Sequence, residues 1–333
     1  MKPNKKWGIA LIALLAYIGV VLFCRTFLNT YYMSVINECL IYFICASGMT
    51  VMMGYGGMMC MCSISMMGMG AFVCAQAYKN YAVPAVPAIL LGVLAGALLA
   101  LIIGMCVLRL QGVFFVFGTL GIVYMMQTVY NNYVPLSNGT NGLAQIPKMQ
   151  ILGYTFNDYY AWLPLLIILA AFCIFVIQRI KNSTLGRSLM AVRDDPIAAQ
   201  SLGVNVYRTK VIGFVIGGAY AAFAGAIYAL HYGNVSYISF SGDAQVKMVT
   251  MVMLGGASNV IGTFLGTFIV SVLPEVLRFM QNYMNVANGV LLVLVMIFMP
   301  RGLFGLFQDI RFRIKKSRAR VAAAARSPQN TEV

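Results

Sequence analysis

Charged residues are scarce in this sequence: they make up 9% of its 333 residues, where a soluble globular chain carries roughly 25%. With 61% of residues hydrophobic, no soluble fold can bury so much apolar surface. Acids are the rarer sign, eight Asp and Glu against 23 Lys and Arg, and there is one histidine, His231. Glu38 and Glu275 are the only acids near the proposed membrane region, so a proton relay or an intramembrane enzyme lacks the titratable groups it needs. No Gly-x4-Gly-Lys-Ser/Thr pattern occurs, which excludes nucleotide hydrolysis of the P-loop kind by this chain. The eight cysteines lie nearly all within apolar runs and assemble no zinc site. Cys60 and Cys62, one residue apart, read as free thiols acting as small core residues. Polar–apolar alternation is absent too, which excludes a closed barrel.

What is present is a series of apolar runs at 8–24, 33–53, 84–108, 113–130, 161–178, 210–230 and 286–299. Most are near the ~20 residues that span hydrocarbon as a helix. The net charge of +15 invites a nucleic-acid reading, but the basic residues cluster before the first run, around the polar loop at 181–209, and from Arg301 to Arg326. That placement puts both termini and the loop in the cytoplasm by the positive-inside rule, with the tail near anionic lipid and no nucleic-acid partner. The Lys-rich start is laid out like a signal peptide, but "VLFCRTFLNT" lacks the small residues of a cleavage site, so an uncleaved anchor is expected.

Parity then sets the count. A short apolar piece at 66–78 completes six crossings before the loop. After it, 244–274 must contribute an even number, and "LGGASNVIG" (Leu254 to Gly262) divides it into two shorter pieces, one of them a candidate re-entrant segment. The expected fold class is all-α, a polytopic transmembrane helix bundle of about eight to ten spans with broken or re-entrant helices. Residues 1–310 form the membrane domain and 311–333 a basic, disordered cytoplasmic tail. Trp7, Tyr31, Tyr32, Tyr159, Tyr160 and Trp162 fall near span ends, as interfacial aromatics do.

Two Gly-rich interruptions, Gly54 to Phe72 and Leu254 to Gly266, lie at similar depth in the two halves. Unwound backbone is tolerated in a membrane only where protein encloses it or it lines a cavity, and transporters place substrate at such paired breaks. The candidate pathway positions are Gly54, Gly57, Cys60, Ser63, Ser65, Gly68, Thr119, Gly255 and Gly256. Close helix packing through small residues is the alternative reading, and the two are compatible. Glu38 reads either as a partner for a substrate amino group or as an interfacial acid. Asp243 and Lys247 have the spacing of a helical ion pair, and His231 reads as a polar end-cap near the external surface.

The central loop, "GRSLMAVRDDPIAAQSLGVNVYRTK" (Gly186 to Lys210), reads as a folded element. Asp194 and Asp195 precede Pro196, which suits a first helical turn, and Gly203 stops the helix. Ala198 and Ala199 would let this short helix sit closely in a partner's groove; a solvated surface helix is the other reading.

The order "GRSLMAVRDDPIAAQSLGV" resembles the cytoplasmic coupling loop of bacterial ABC importer permeases of the branched-chain amino acid type, the LivM-like subunit. Asp195, Ala198, Ala199 and Gly203 match its pattern, and the likeness extends the contact region to Gly186, Arg187, Arg193 and Asp194. "LRLQGVFFVFGTLG" (Leu108 to Gly121), "SNGTNGLAQIP" (Ser137 to Pro147), "MVMLGGASNVIGTFLG" (Met251 to Gly266) and "RGLFG" (Arg301 to Gly305) are similar to further segments of that family. One stretch departs. Where the family has a Gly-Gln-x-Ser-x-Gly-His-Ala-type run, this chain places Met58, Cys60, Cys62 and Ser63 at the Gln, Ser, Gly and His positions.

The resemblance implies a transport permease with no enzyme activity and no cofactor or metal of its own, ATP being used by partner subunits. It implies a second permease subunit, two ATP-binding subunits and an external substrate-binding protein, assembled in the bacterial cytoplasmic (inner) membrane. The implied cargo is a branched-chain or related amino acid. Nucleosides, sugars or urea are the alternative cargoes of related permeases, and a stand-alone channel or facilitator is the alternative mechanism.

Overall fold

The computed structural model describes residues 29–151, 153–156 and 158–276, with single positions at 286, 289, 290 and 293. The proposed first span at 8–24, nearly all of 286–299 and the basic tail lie outside the described residues.

Each proposed span within that range forms a helix: α1 (Thr30–Met49), α2 (Ser63–Asn80), α3 (Ala85–Val107), α4 (Val113–Asn132), α6 (Tyr159–Asn182) and α9 (Val206–Tyr232). A one-turn α5 (Val134–Ser137) follows α4, and the polar loop holds α7 (Thr184–Asp194) and α8 (Pro196–Ser201). The proposed division of 244–274 is observed as α10 (Gly242–Gly255) and α11 (Val260–Val276). Gly256, at φ +96°, makes the break, and the Asn259 carboxamide caps α11 by accepting from the Ile261 N–H at 2.9 Å. Among the described residues, five helices are long and apolar enough to cross a membrane: α1 with its extension, α3, α4, α6 and α9. The only strands among them are a two-residue antiparallel ladder pairing Gln150 with Thr155 and Ile151 with Tyr154.

The bundle is organised on α9, which packs against α1, α2 and α3. Much of its inward face is small: Gly217, Gly218, Ala221, Ala222, Ala224, Gly225 and Ala226 are all buried. Without a hydrophobic drive between helices in lipid, such residues supply close van der Waals packing. At Gly225 the approach is complete, since a Cβ there would run into the Met67 carbonyl of α2.

Hydrogen bonds define two opposite ends. At one, the loop 183–205 meets residues 54–57 and the Tyr207 hydroxyl donates to the Met105 carbonyl at 2.8 Å. At the other, the 133–158 segment is fastened to the end of α2, with Gln76, Tyr78 and Lys79 donating to the carbonyls of Pro135, Lys148 and Ala144, and Leu143 bridging to Val235.

Candidate functional site

The polar loop is built largely from its own caps. The Ser183 hydroxyl accepts from the Gly186 N–H at 3.2 Å. Gly186 is buried where a side chain would strike the Ile180 and Lys181 carbonyls, and Arg187 Nη1 donates to the Asn182 carbonyl at 2.9 Å. These two residues therefore fix the corner between α6 and α7. Asp195 caps α8 as its spacing predicts, Oδ1 accepting from the Ile197 and Ala198 N–H groups at 2.9 and 3.0 Å, an arrangement that satisfies donors otherwise left orphaned. Gly203, at φ +83°, stands just past the end of that helix.

The two alanines separate: Ala199 is buried within the chain and Ala198 faces outward. Beside Ala198 stand Ile197 and Leu202, 79% and 83% exposed. Sequence reasoning passed over both. Their signal was weak, because Leu185, Leu189, Val192, Val204 and Val206 stand in the same loop and only burial tells them apart. A groove of about 1480 Å³ runs beside α8, bounded by Gly57, Met58, the Leu108–Phe117 turn and residues 195–210.

Arg193 connects this corner to the membrane core. Its Nε and Nη2 donate to Asp194 Oδ1 at 2.9 and 2.8 Å, while Nη1 donates to the Gly54 carbonyl at 2.6 Å. Its aliphatic stem lies where a Gly57 side chain would be, and Gly57 sits at φ +66°.

Gly54 belongs to a π-helical turn, Thr50–Tyr55, that continues α1, and π turns inside helices concentrate at functional positions. Residues 57–62 then run without helix until α2. Several of their N–H groups are satisfied locally, but the Met61 N–H donates to Thr119 Oγ1 of α4 at 3.1 Å, and in the first turn of α2 the Ile64 N–H donates to Gln245 Oε1 of α10 at 2.9 Å. The structure thus brings Thr119 to the Cys60–Ser63 stretch and adds Gln245, which no sequence pattern singled out. Cys60 and Cys62 are buried with their sulfurs 3.4 Å apart.

The two interruptions meet in space. A side chain on Gly54 would collide with the Ala257 carbonyl of the α10–α11 break, and Thr50 Oγ1 and Thr263 Oγ1 share a hydrogen bond at 2.9 Å. Gly255 packs on Gly262 and Thr263 inside that hairpin. Gly68 lies further along α2, against the rings of Tyr130 and Phe240. The hydroxyls of Ser63 and Ser65 and the Gln245 Nε2 are buried without a hydrogen-bond partner among the described residues, which native interiors seldom tolerate without a functional reason or water.

One local expectation is corrected. His231 is a buried ring stacked on Trp162 and Tyr232, centroids 5.2 and 4.9 Å away; aromatic faces, not solvent, hold it. Trp162, near the start of α6 where a span end was expected, is itself only 3% exposed. Lys247 reaches Glu38 at 3.8 Å and lies over the Tyr42 ring, because packing of α10 on α1 brings a carboxylate of another helix to it. No group of three or more His, Cys, Asp or Glu able to hold a metal occurs among the described residues.

A family model described as branched-chain amino acid transport system / permease component matches residues 31–300. The chain belongs to that family. It is a multi-pass membrane protein of a class of transport permeases. It is similar to the high-affinity branched-chain amino acid transport system permease protein LivM of Salmonella typhimurium, 29% identical over 304 residues that cover 84% of this chain and 71% of that protein. Likeness to LivM of Escherichia coli is 29% over 287 residues, 79% of this chain and 68% of the relative. The permease LivH of Escherichia coli is 29% identical over 195 residues, covering 54% and 61%. An autoinducer 2 import system permease protein, LsrC of Klebsiella pneumoniae, is 28% identical over 192 residues, 56% of this chain and 53% of its own length. No solved structure matches the chain.

Proposed function

We propose that this chain is the membrane-spanning permease subunit of a bacterial ABC importer for branched-chain or related amino acids, working by alternating access. The observation that supports this most directly is the Arg193 connection: the loop bearing an exposed, small-faced helix is hydrogen-bonded to the carbonyl of Gly54, in the turn that abuts the second helix break. A partner that grips α8 would move the break with it, and a bistable break is what switches access from one side to the other.

In this reading two partner ATPases hydrolyse ATP and seat on α8 through Ala198, Ile197 and Leu202, a second permease completes the membrane unit, and an external binding protein delivers the cargo. The similarity to both LivM and LivH favours a permease pair of two different chains. The loop end faces the cytoplasm of a bacterial inner membrane, with both termini on that side. The pathway passes the unpartnered hydroxyls of Ser63 and Ser65 beside Cys60 and Thr119. No step of the chemistry is assigned to this chain, whose part is to bind weakly, open and close.

The test is the Arg193→Glu variant in the reconstituted transporter. ATP hydrolysis should persist while amino acid uptake per ATP falls about tenfold, within the usual range of coupling free energies. Unchanged uptake per ATP would remove the docking role. Uptake of a sugar-like cargo with none of leucine would shift the cargo toward that of the autoinducer 2 relative.

A further inference from the structure

At the junction of α1, α9 and α10 the chain keeps two opposite charges, one of them on the membrane-length helix α1. Glu38 of α1 and Lys247 of α10 approach to 3.8 Å, with 34% and 22% of their side chains exposed. That separation lies beyond hydrogen-bonding distance. The carboxylate instead accepts a hydrogen bond from the Tyr232 hydroxyl of α9 at 3.2 Å, and the ammonium sits 5.0 Å from the centroid of the Tyr42 ring. Tyr228 and Tyr232 pack ring against ring, centroids 4.6 Å apart, and the Tyr228 hydroxyl meets Ser239 Oγ at 3.3 Å.

Ionisable residues in membrane segments are costly, and those that persist face the protein interior and mark ligand or ion pathways. Each charge of this pair also meets a tyrosine on its outer flank, and the surrounding surface is aromatic. The arrangement is a fixed dipole, minus at Glu38 and plus at Lys247, beside tyrosine rings.

We propose that Glu38 and Lys247 form a transit site for the head group of a zwitterionic α-amino acid, a proposal that rests on the amino acid cargo inferred above. The ligand lies with its own dipole antiparallel to the pair, ammonium beside Glu38 and carboxylate beside Lys247. All four charges are then neutralised by neighbours without separating the pair, and the apolar side chain of the ligand lies on the rings of Tyr42, Tyr228 and Tyr232. A sugar or nucleoside offers no such dipole, so the site selects by head group before any side chain is read.

The experiment uses the importer purified with the subunits that accompany this chain, reconstituted in liposomes with radiolabelled leucine. Glu38→Gln and Lys247→Met should each lower uptake about tenfold, less than for truncating one member of a fully buried charge pair because both side chains are partly exposed. Assembly and basal ATP hydrolysis are followed in parallel. The double variant E38Q/K247M separates the roles, because it leaves no lone charge in the membrane. A double variant that assembles, hydrolyses ATP and fails to import leucine supports the site. One that imports leucine within about twofold of the unmodified protein, or that does not assemble, shows the pair to be structural and overturns it. If the unmodified importer carries another cargo and no leucine, the amino acid reading itself fails and the site with it.

Discussion

Helices α3 and α9 are both long enough to span a membrane, yet they are opposites. The most apolar stretch of α3 has a mean hydropathy of 2.8 and is only 28% buried within the chain; that of α9 has 1.8 and is 56% buried, and α1, at 1.6, is 78% buried. The two most hydropathic helices, α3 and α6, are both largely uncovered by the chain, although α4, at 1.6 and 28% buried, shows that low hydropathy alone does not mark the core. Along much of the inward face of α9, Gly and Ala stand where larger apolar residues could. Lipid is as apolar as leucine, so tight contact between helices, not removal from water, holds the interior together.

That contrast can be broken most severely at Gly225. Gly225→Val should destabilise the protein by more than about 3 kcal/mol, because the added atoms meet backbone rather than a yielding side chain; folded yield after detergent extraction and size-exclusion chromatography reads this. Next comes Leu94 of α3, 65% exposed. Leu94→Lys should cost about 3 kcal/mol if lipid covers the position, measured as lost membrane insertion, and much less if water or a polar partner does. Smallest is Gly121→Ala on α4, where nothing lies within 4 Å of the new methyl. Its thermal stability should stay within about 1 kcal/mol of the unmodified protein, the scale of helix propensity alone.

The same division explains what could be read in advance. Span positions and the break at Leu254–Gly262 were legible because both are local: an apolar run needs only its own length, and a Gly-rich interruption announces itself. The Asp195 cap and the Gly203 stop were legible for the same reason. The meeting of the two interruptions was not, since the contact between Gly54 and Ala257 depends on how α1 packs on the α10–α11 hairpin. Gln245 could not be found because its bond reaches 181 residues back to Ile64. Nor was the approach of Lys247 to Glu38 legible, since the two lie on different helices. Burial of His231 was equally hidden, being a matter of the faces of Trp162 and Tyr232 rather than of its neighbours in sequence.

The bond from Arg193 to the Gly54 carbonyl has a genetic consequence. It joins a side chain to a backbone atom, and every amino acid carries that atom, so a substitution at position 54 can crowd the contact but cannot delete its acceptor. The fastening is one-sided: its loss maps to position 193. A second-site revertant of an Arg193 lesion therefore cannot arise by restoring a partner side chain at 54, and selection for recovered uptake should return residues that stiffen the loop by another route.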